Sequence, residues 1–244
     1  MAGPHTGSEA RRGTLLGVNI LYGINTVTEA LKARGRNFEW IGVAKERNDI
    51  RLRRVIDECR KIGVPVRILS RVELDELAGN AAHQGLVAAT SAKQYSDLDD
   101  IVASRRGERS LIVVLDGVVI PERRSAAVTA AVAKVSAGAS EHLPVAKVTN
   151  ISRALEELKE KDLWIVGLDE RGTQTYDAID YKMHCAIVLG AEGKGLHDLV
   201  RRHCDFLVSI PMLGKVPSLN VSVAAGVVLY EVVRQRRLGA SKQS

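Results

Sequence analysis

Residues 187–231, reading IVLGAEGKGLHDLVRRHCDFLVSIPMLGKVPSLNVSVAAGVVLYE, hold two strand–turn–helix units in succession. An apolar run of strand length at 186–189 leads into the turn Gly190-Ala191-Glu192-Gly193-Lys194-Gly195 and an amphipathic helix over 196–204. A second strand covers 206–210, a loop with two prolines spans 211–217, and a last helix opens near Ser218 and runs to about residue 236. Strands that alternate with helices specify a mostly parallel α/β sheet, whose ligands sit outside the carboxyl ends of the strands. Both turns, 190–195 and 211–220, fall at that edge.

The upstream chain divides in two. Residues 18–92 read as a compact α/β module. It has a helix at 26–33, with Val27, Ala30 and Leu31 on one face, and a strand at 40–44. A basic amphipathic helix follows at 49–62, closed by Gly63, then a strand at 64–69. Ser70 with Glu73 three residues on makes a capping box, and a strand at 86–90 completes the module. Residues 93–109 are polar and charged and read as a linker with one short helix. A second domain over 110–238 has further strands at 111–115, 145–148 and 163–168. Its helix at 153–161 is capped by Asn150 or Ser152. The ends, 1–17 and 239–244, read as tails, the first of them disordered.

Composition excludes several classes. A 244-residue chain with 45% hydrophobic and 26% charged residues can bury two modest cores and matches soluble globular proteins. No apolar run reaches the ~18 residues of a membrane helix, and no signal core precedes a cleavage site, so the expected compartment is the cytoplasm. Cys59, Cys185 and Cys204 are too scattered for a zinc site or a disulfide framework, and no metal is expected. The net charge of +6 permits a nucleic-acid partner without establishing one.

Three stretches carry candidate chemistry. The glycines of 190–195 suit either a tight turn or a main-chain cradle for a ligand; the spacing fits neither a Walker loop nor a dinucleotide fingerprint. Ser218 at a helix start reads most simply as an N-cap. Asn220 in the first turn of an otherwise apolar helix is expected to be a buried amide in need of partners. His83-Gln84-Gly85 reads on spacing as a polar turn before a strand.

Taken together, Val188-Leu189-Gly190-Ala191-Glu192-Gly193-Lys194-Gly195-Leu196 and the stretch from Ile210 to Ala225 resemble motifs 2 and 3 of the SpoU RNA ribose methyltransferases, of the SPOUT or α/β-knot class. The N-terminal module is similar to the L30e-like RNA-binding domain, through its start at Tyr22-Gly23-Ile24-Asn25-Thr26 and its end at His83-Gln84-Gly85. Pro121-Glu122-Arg123-Arg124-Ser125 and Ser136-Ala137-Gly138-Ala139 resemble the bacterial 23S ribosomal RNA guanosine 2′-O-methyltransferases. The resemblance implies an L30e-like domain joined to a trefoil-knotted SPOUT domain, a homodimer contacting through the latter, ribosomal RNA as partner and S-adenosylmethionine as cofactor. The cofactor would lie against Leu189, Gly190, Ala191, Glu192, Gly193, Gly195, Ile210, Pro211, Met212 and Leu219. Ser218, Asn220 and Glu192 would form the catalytic side, and Arg51, Arg53, Arg54, His83, Gln84, Arg123 and Arg124 would contact RNA.

The chain departs from the family pattern at one place. In the family, the first strand of the catalytic domain leads into motif 1, a loop with an Asn and a helix with an Arg, before another strand reaches the Ile-Pro-x-x-Arg-Ser segment. Here Asp116-Gly117-Val118 runs directly into Val119-Ile120-Pro121. Two strands are fused into one run, without the intervening Asn and Arg. Slow or absent catalysis is therefore expected even where cofactor and RNA bind.

Overall fold

The structure is a computed structural model. It describes residues 18–45, 49–79, 81–104, 109–116, 128–191, 195–214 and 219–240. The chain forms two compact units, Met1–Tyr95 with Ala127–Pro144, and Ser96–Ala126 with Val145–Ser244.

In the first unit the elements run β1 (Val18–Tyr22), α1 (Ile24–Ala33), β2 (Phe38–Ala44), α2 (Ile50–Lys61), β3 (Val66–Leu69), α3 (Arg71–Leu77) and β4 (Leu86–Ser91). The sheet order is β1-β4-β2-β3, with β4 antiparallel to both neighbours and β2 parallel to β3. Helical periodicity places Val27, Ala30 and Leu31 of α1, and Leu52, Val55 and Cys59 of α2, against Leu21, Ile41, Val43 and Leu86 on one face. Leu74 and Ala78 cover Trp40, Val87 and Ala89 on the other. Asp49 caps α2, and the capping box of Ser70 and Glu73 is formed in both directions. Ser70→Ala is expected to lower the unfolding free energy by about 1 kcal/mol. Urea denaturation at unchanged m-value would measure it.

The chain continues through α4 (Leu98–Ala103) and β5 (Leu111–Asp116), both in the second unit, and then returns to the first for α5 (Ala130–Val135) and a 3-10 turn, Ala139–His142. This differs from the expected division at 93–109. Val102 of α4 belongs to the second core, and Ala133 of α5 belongs to the first. The strap 127–144 is held by a buried bidentate pair. Arg36 Nε donates to Glu141 Oε2 at 2.8 Å and Nη2 to Oε1 at 3.0 Å, with both side chains 1% exposed. The Lys93 ammonium donates to the Glu141 carbonyl at 3.3 Å, and the His142 ring meets Glu29 Oε2 at 2.8 Å.

The second unit is completed by α6 (Ile151–Glu160), β6 (Trp164–Leu168), β7 (Gln174–Thr175), β8 (Cys185–Gly190), α7 (Asp198–His203), β9 (Phe206–Ser209) and α8 (Val221–Ala240). Its sheet, β5-β8-β6-β9-β7, is parallel throughout, as the alternation of strands and helices requires. Leu155, Leu158, Leu196 and Val200 pack α6 and α7 on one face, and Val228 and Val232 of α8 join Tyr181 on the other. Asn150 caps α6 as expected.

Three expectations are corrected. Residues 145–148 are not a strand: they pair with no strand of the five-stranded sheet, and the Ser96 N–H donates to the Val145 carbonyl at 2.9 Å. The strands β1 and β7 were not expected. Asn220 is exposed rather than buried; it precedes α8, and its Oδ1 accepts from the Ser222 N–H at 3.0 Å, the geometry of a cap. The expected tail 1–17 and the Val118–Val119 join lie outside the described residues. So do parts of both loops on which the expected knot depends, at 192–194 and 215–218.

Candidate active site

β8 is the central strand of the second sheet, buried along Cys185 to Leu189, and it delivers Gly190 to the carboxyl edge. No larger residue fits there. A Cβ on Gly190 would lie 2.2 Å from both the carbonyl carbon and oxygen of Gly195. The chain doubles back at once, because Gly195 N–H donates to the Ala191 carbonyl at 2.9 Å and Gly195 takes a left-handed φ of 64°. That conformation is natural to glycine and strained for any side chain.

Beside this turn stands the end of β6. Asp169 is 4% exposed and fully engaged: its backbone N–H donates to the Val208 carbonyl, Oδ1 accepts from the Arg171 N–H at 2.9 Å, and Oδ2 accepts from Arg201 Nε at 3.1 Å. Arg201 also donates to Asp198 at 2.6 Å and to the Leu196 carbonyl. The bond to Asp169 raises the Arg201 pKa further above its ordinary value, so this guanidinium stays a cation and locks the start of α7 to the end of β6. On the far side of β8, Asp116 ends β5 and accepts from the His197 backbone N–H at 2.9 Å, with the His197 Nδ1 2.8 Å from its other oxygen.

These ends enclose a cavity of about 910 Å³. Its lining combines Leu168, Asp169, Glu170 and Arg171 after β6, Leu189, Gly190, Ala191 and Gly195 after β8, Ser209, Ile210, Pro211 and Met212 after β9, and Leu219 beside α8. Eight residues assigned to the cofactor by resemblance therefore share one cavity: Leu189, Gly190, Ala191, Gly195, Ile210, Pro211, Met212 and Leu219. Asn220 is not among its lining. Glu192, Gly193, Ser218, Arg123 and Arg124 lie outside the described residues. Sequence reasoning missed Asp169, Glu170, Arg171 and Arg201. The position of Asp169-Glu170-Arg171-Gly172 just after a strand that ends at the ligand edge was the available signal.

The lining sets apolar side chains beside the polar ones of Asp169, Glu170, Arg171 and Ser209, which suits a heteroaromatic ligand with a charged, polar tail. Among the described residues that line it, Glu170 is the one carboxylate without a partner, because Asp169 is committed to Arg201. Burial pushes the Cys204 thiol up to about 12, the Cys59 thiol up to about 11 and the Cys185 thiol upward as well, away from the reactive thiolate.

In the first unit, His83 and Gln84 hold their own fold together. The His83 Nδ1 accepts the Gly85 N–H at 3.0 Å and the Nε2 meets Asp75 Oδ1 at 2.9 Å, which fixes the proton on Nε2 when the ring is neutral. Gln84 Oε1 accepts from the Ile24 N–H and the Lys134 ammonium, both at 3.1 Å, and so caps α1 from sixty residues away. Arg51 pairs with Asp49 at 3.3 Å, and Arg53 and Arg54 are exposed on α2.

Two family models match the chain. One, described as the SpoU rRNA Methylase family, covers residues 109–230; the other, described as RNA 2′-O ribose methyltransferase substrate binding, covers residues 20–96. The chain is 42% identical to the 23S rRNA (guanosine-2′-O-)-methyltransferase RlmB of Vibrio cholerae serotype O1, over 89% of this chain and 97% of that one. It is 37% identical to the protein of the same name from Escherichia coli K12, over 89% and 98%. Among solved structures, the SpoU methyltransferase AviRb from Streptomyces viridochromogenes shares the fold with a TM-score of 0.75 at 23% identity, covering 92% of this chain and 91% of that one. An AdoMet-bound rRNA methyltransferase from Sinorhizobium meliloti gives 0.72 at 19%, covering 90% and 88%. The two sequence alignments run over 243 and 241 positions, whereas 89% of 244 residues is about 217. Each relative thus carries about two dozen residues that face none in this chain.

Proposed function

We propose, from the premise that this chain belongs to the SpoU rRNA methylase family, that it methylates the 2′-hydroxyl of a ribose in ribosomal RNA, at a guanosine of 23S rRNA, with S-adenosylmethionine as methyl donor. The observation that carries the reading is the meeting of both family loops in one cavity at the carboxyl edge of the parallel sheet.

The residues present fit the cofactor. Gly190 and Gly195 keep open a cradle that a Cβ at the first would close, and Leu189, Ala191, Ile210 and Met212 line the same cavity. When bound, S-adenosylmethionine supplies an electrophilic methyl group. The protein's part is to exclude water with Leu168, Leu189, Ile210 and Leu219 and to orient the ribose beside Asn220 and Ser218, the residues the family pattern places there. Tritiated-methyl transfer to unmodified ribosomal RNA, followed by digestion to nucleosides, tests this. Label in 2′-O-methylguanosine is expected, and label on a base instead of a ribose would overturn the assignment.

A second reading is favoured by the two dozen residues that the relatives have and this chain lacks: an RNA-binding relative of low activity that acts in ribosome assembly. It predicts RNA and cofactor binding with little transfer.

We also read the protein as a homodimer in the cytoplasm. No helix among the described residues is long and apolar enough to cross a membrane. Val223, Tyr230 and Val233 are 53%, 79% and 44% exposed on α8, and a Cβ at Gly226 would meet nothing within 4 Å. These positions form one apolar stripe at helical spacing, a face that a partner helix could cover at close range. Ala225 instead faces the core of its own unit. Tyr230→Glu is expected to convert the dimer mass in light scattering to that of a monomer, and a dimer that survives the change would place the interface elsewhere.

A further inference from the structure

The first unit has its own cleft, about 770 Å³, at the carboxyl ends of β2 and β3. Its floor is rigid. His83 is clamped between Asp75 and the Gly85 N–H, and Gln84 adopts a left-handed φ of 56° while its side chain caps α1. A non-glycine residue held in that conformation is strained, and strain of this kind collects where a ligand is gripped. The walls are small and apolar, with Ala44, Leu69, Ala81 and Ala82. The rim is cationic. Lys45 is exposed, and its ammonium has no partner among the described residues. The Arg71 side chain is 89% exposed, with Asp75 at 3.9 Å as its nearest carboxylate. Asp75 gives Oδ1 to His83, and its Oδ2 has Arg71 Nε at 3.9 Å, beyond hydrogen-bond reach.

Resting on the reading of the chain as an RNA-modifying protein, we propose that this cleft receives one unpaired nucleotide of the RNA. The base lies against the alanine and leucine walls with an N–H edge toward Asp75, and Lys45 and Arg71 hold the flanking phosphates. A duplex cannot enter a cleft of this size, whereas a nucleotide unstacked from a loop or bulge can, and single-stranded elements are where RNA sequence is usually read. The exposed arginines of α2 form a convex surface that can meet a phosphate backbone but cannot enclose a base.

The test uses the full chain and a short single-stranded RNA, with the same RNA annealed to its complement as a second ligand. Lys45→Ala with Arg71→Ala should flatten the plot of log affinity against log salt by about 1.4, two phosphate contacts at about 0.7 each. Arg60→Ala with Lys61→Ala removes equal charge from exposed positions at the other end of α2 and should leave the slope nearly unchanged. Ala82→Trp fills the cleft without altering charge, and should weaken single-strand binding at an unchanged slope. Equal slopes in the two double variants, or duplex and single strand bound alike, would overturn the cleft while leaving RNA binding intact. Failure of the unaltered chain to bind any RNA at low salt would remove the functional reading and the cleft together.

Discussion

Insertion of a family-type motif 1 after Val118, with its Asn and its Arg-bearing helix, is expected to raise ribose methylation by about 10²–10³-fold, the usual worth of one donor aimed at a developing oxyanion. The ribose 2′-hydroxyl is a weak acid, and a positioned base typically contributes a further factor of about 10²–10⁴. Among the described lining residues, Asp169 is committed to Arg201, Arg171 is 63% exposed with Asp169 at 3.8 Å, and Glu170 is a carboxylate with no partner to orient it. Asn220, outside that lining, is neutral and occupied with Ser222. Asp116, at the end of β5, is held by His197. The comparison is a single-turnover methyl-transfer assay on unmodified ribosomal RNA with both proteins. Equal rates would show that the chain carries its own base, and Glu192, Arg124 and His197 would be the first residues to replace.

Loss of cofactor binding is the second large effect expected. Gly190→Ala places a methyl group 2.2 Å from main-chain atoms of Gly195, a distance no side-chain rotation relieves because the atoms on both sides are backbone. Either the end of β8 or the returning turn must move, and both are walls of the cavity. Gly195→Val acts differently. Its Cβ would be 3.4 Å from Asp169 Oδ2, which is ordinary contact, but a β-branched residue is forced to a φ of 64°. Calorimetry with S-adenosylhomocysteine should show affinity reduced beyond measurement in the first variant and by at least about tenfold in the second, equivalent to about 1.4 kcal/mol. Unchanged affinity in both would move the cofactor to another part of the protein.

Both effects involve residues that were visible in the sequence, since glycines flanking a strand end announce themselves by type and place. The paired strands β8 and β9, with the helices after them, were equally visible because each is an apolar run closed by a turn. Strand β1 was not. Asn19 interrupts its short apolar run, and its extended conformation comes from pairing with β4, seventy residues away. Residues 145–148 are the converse, a stretch of strand composition that pairs with no strand of either sheet. Asp169 was passed over because a single carboxylate after a strand has many uses; its partner Arg201 is 32 residues distant and becomes a partner only when α7 docks. The strap 127–144 was read as part of the second domain because sequence order carries no sign that Glu141 reaches Arg36, 105 residues earlier.

That strap has an evolutionary and a practical consequence. The polypeptide passes from one unit to the other at Tyr95–Ser96, Ala126–Ala127 and Pro144–Val145, so the first unit is not a cassette that recombination could lift out by cutting at one place. A gene fragment ending near Tyr95 would lack Glu141, the carboxylate that Arg36 holds in a buried bidentate pair, and would therefore be less stable than the unit with its strap. A protease nick at the same place in the intact protein would have a milder result: the two pieces would remain together through Glu141, His142 and Ala133, and would separate only in denaturant.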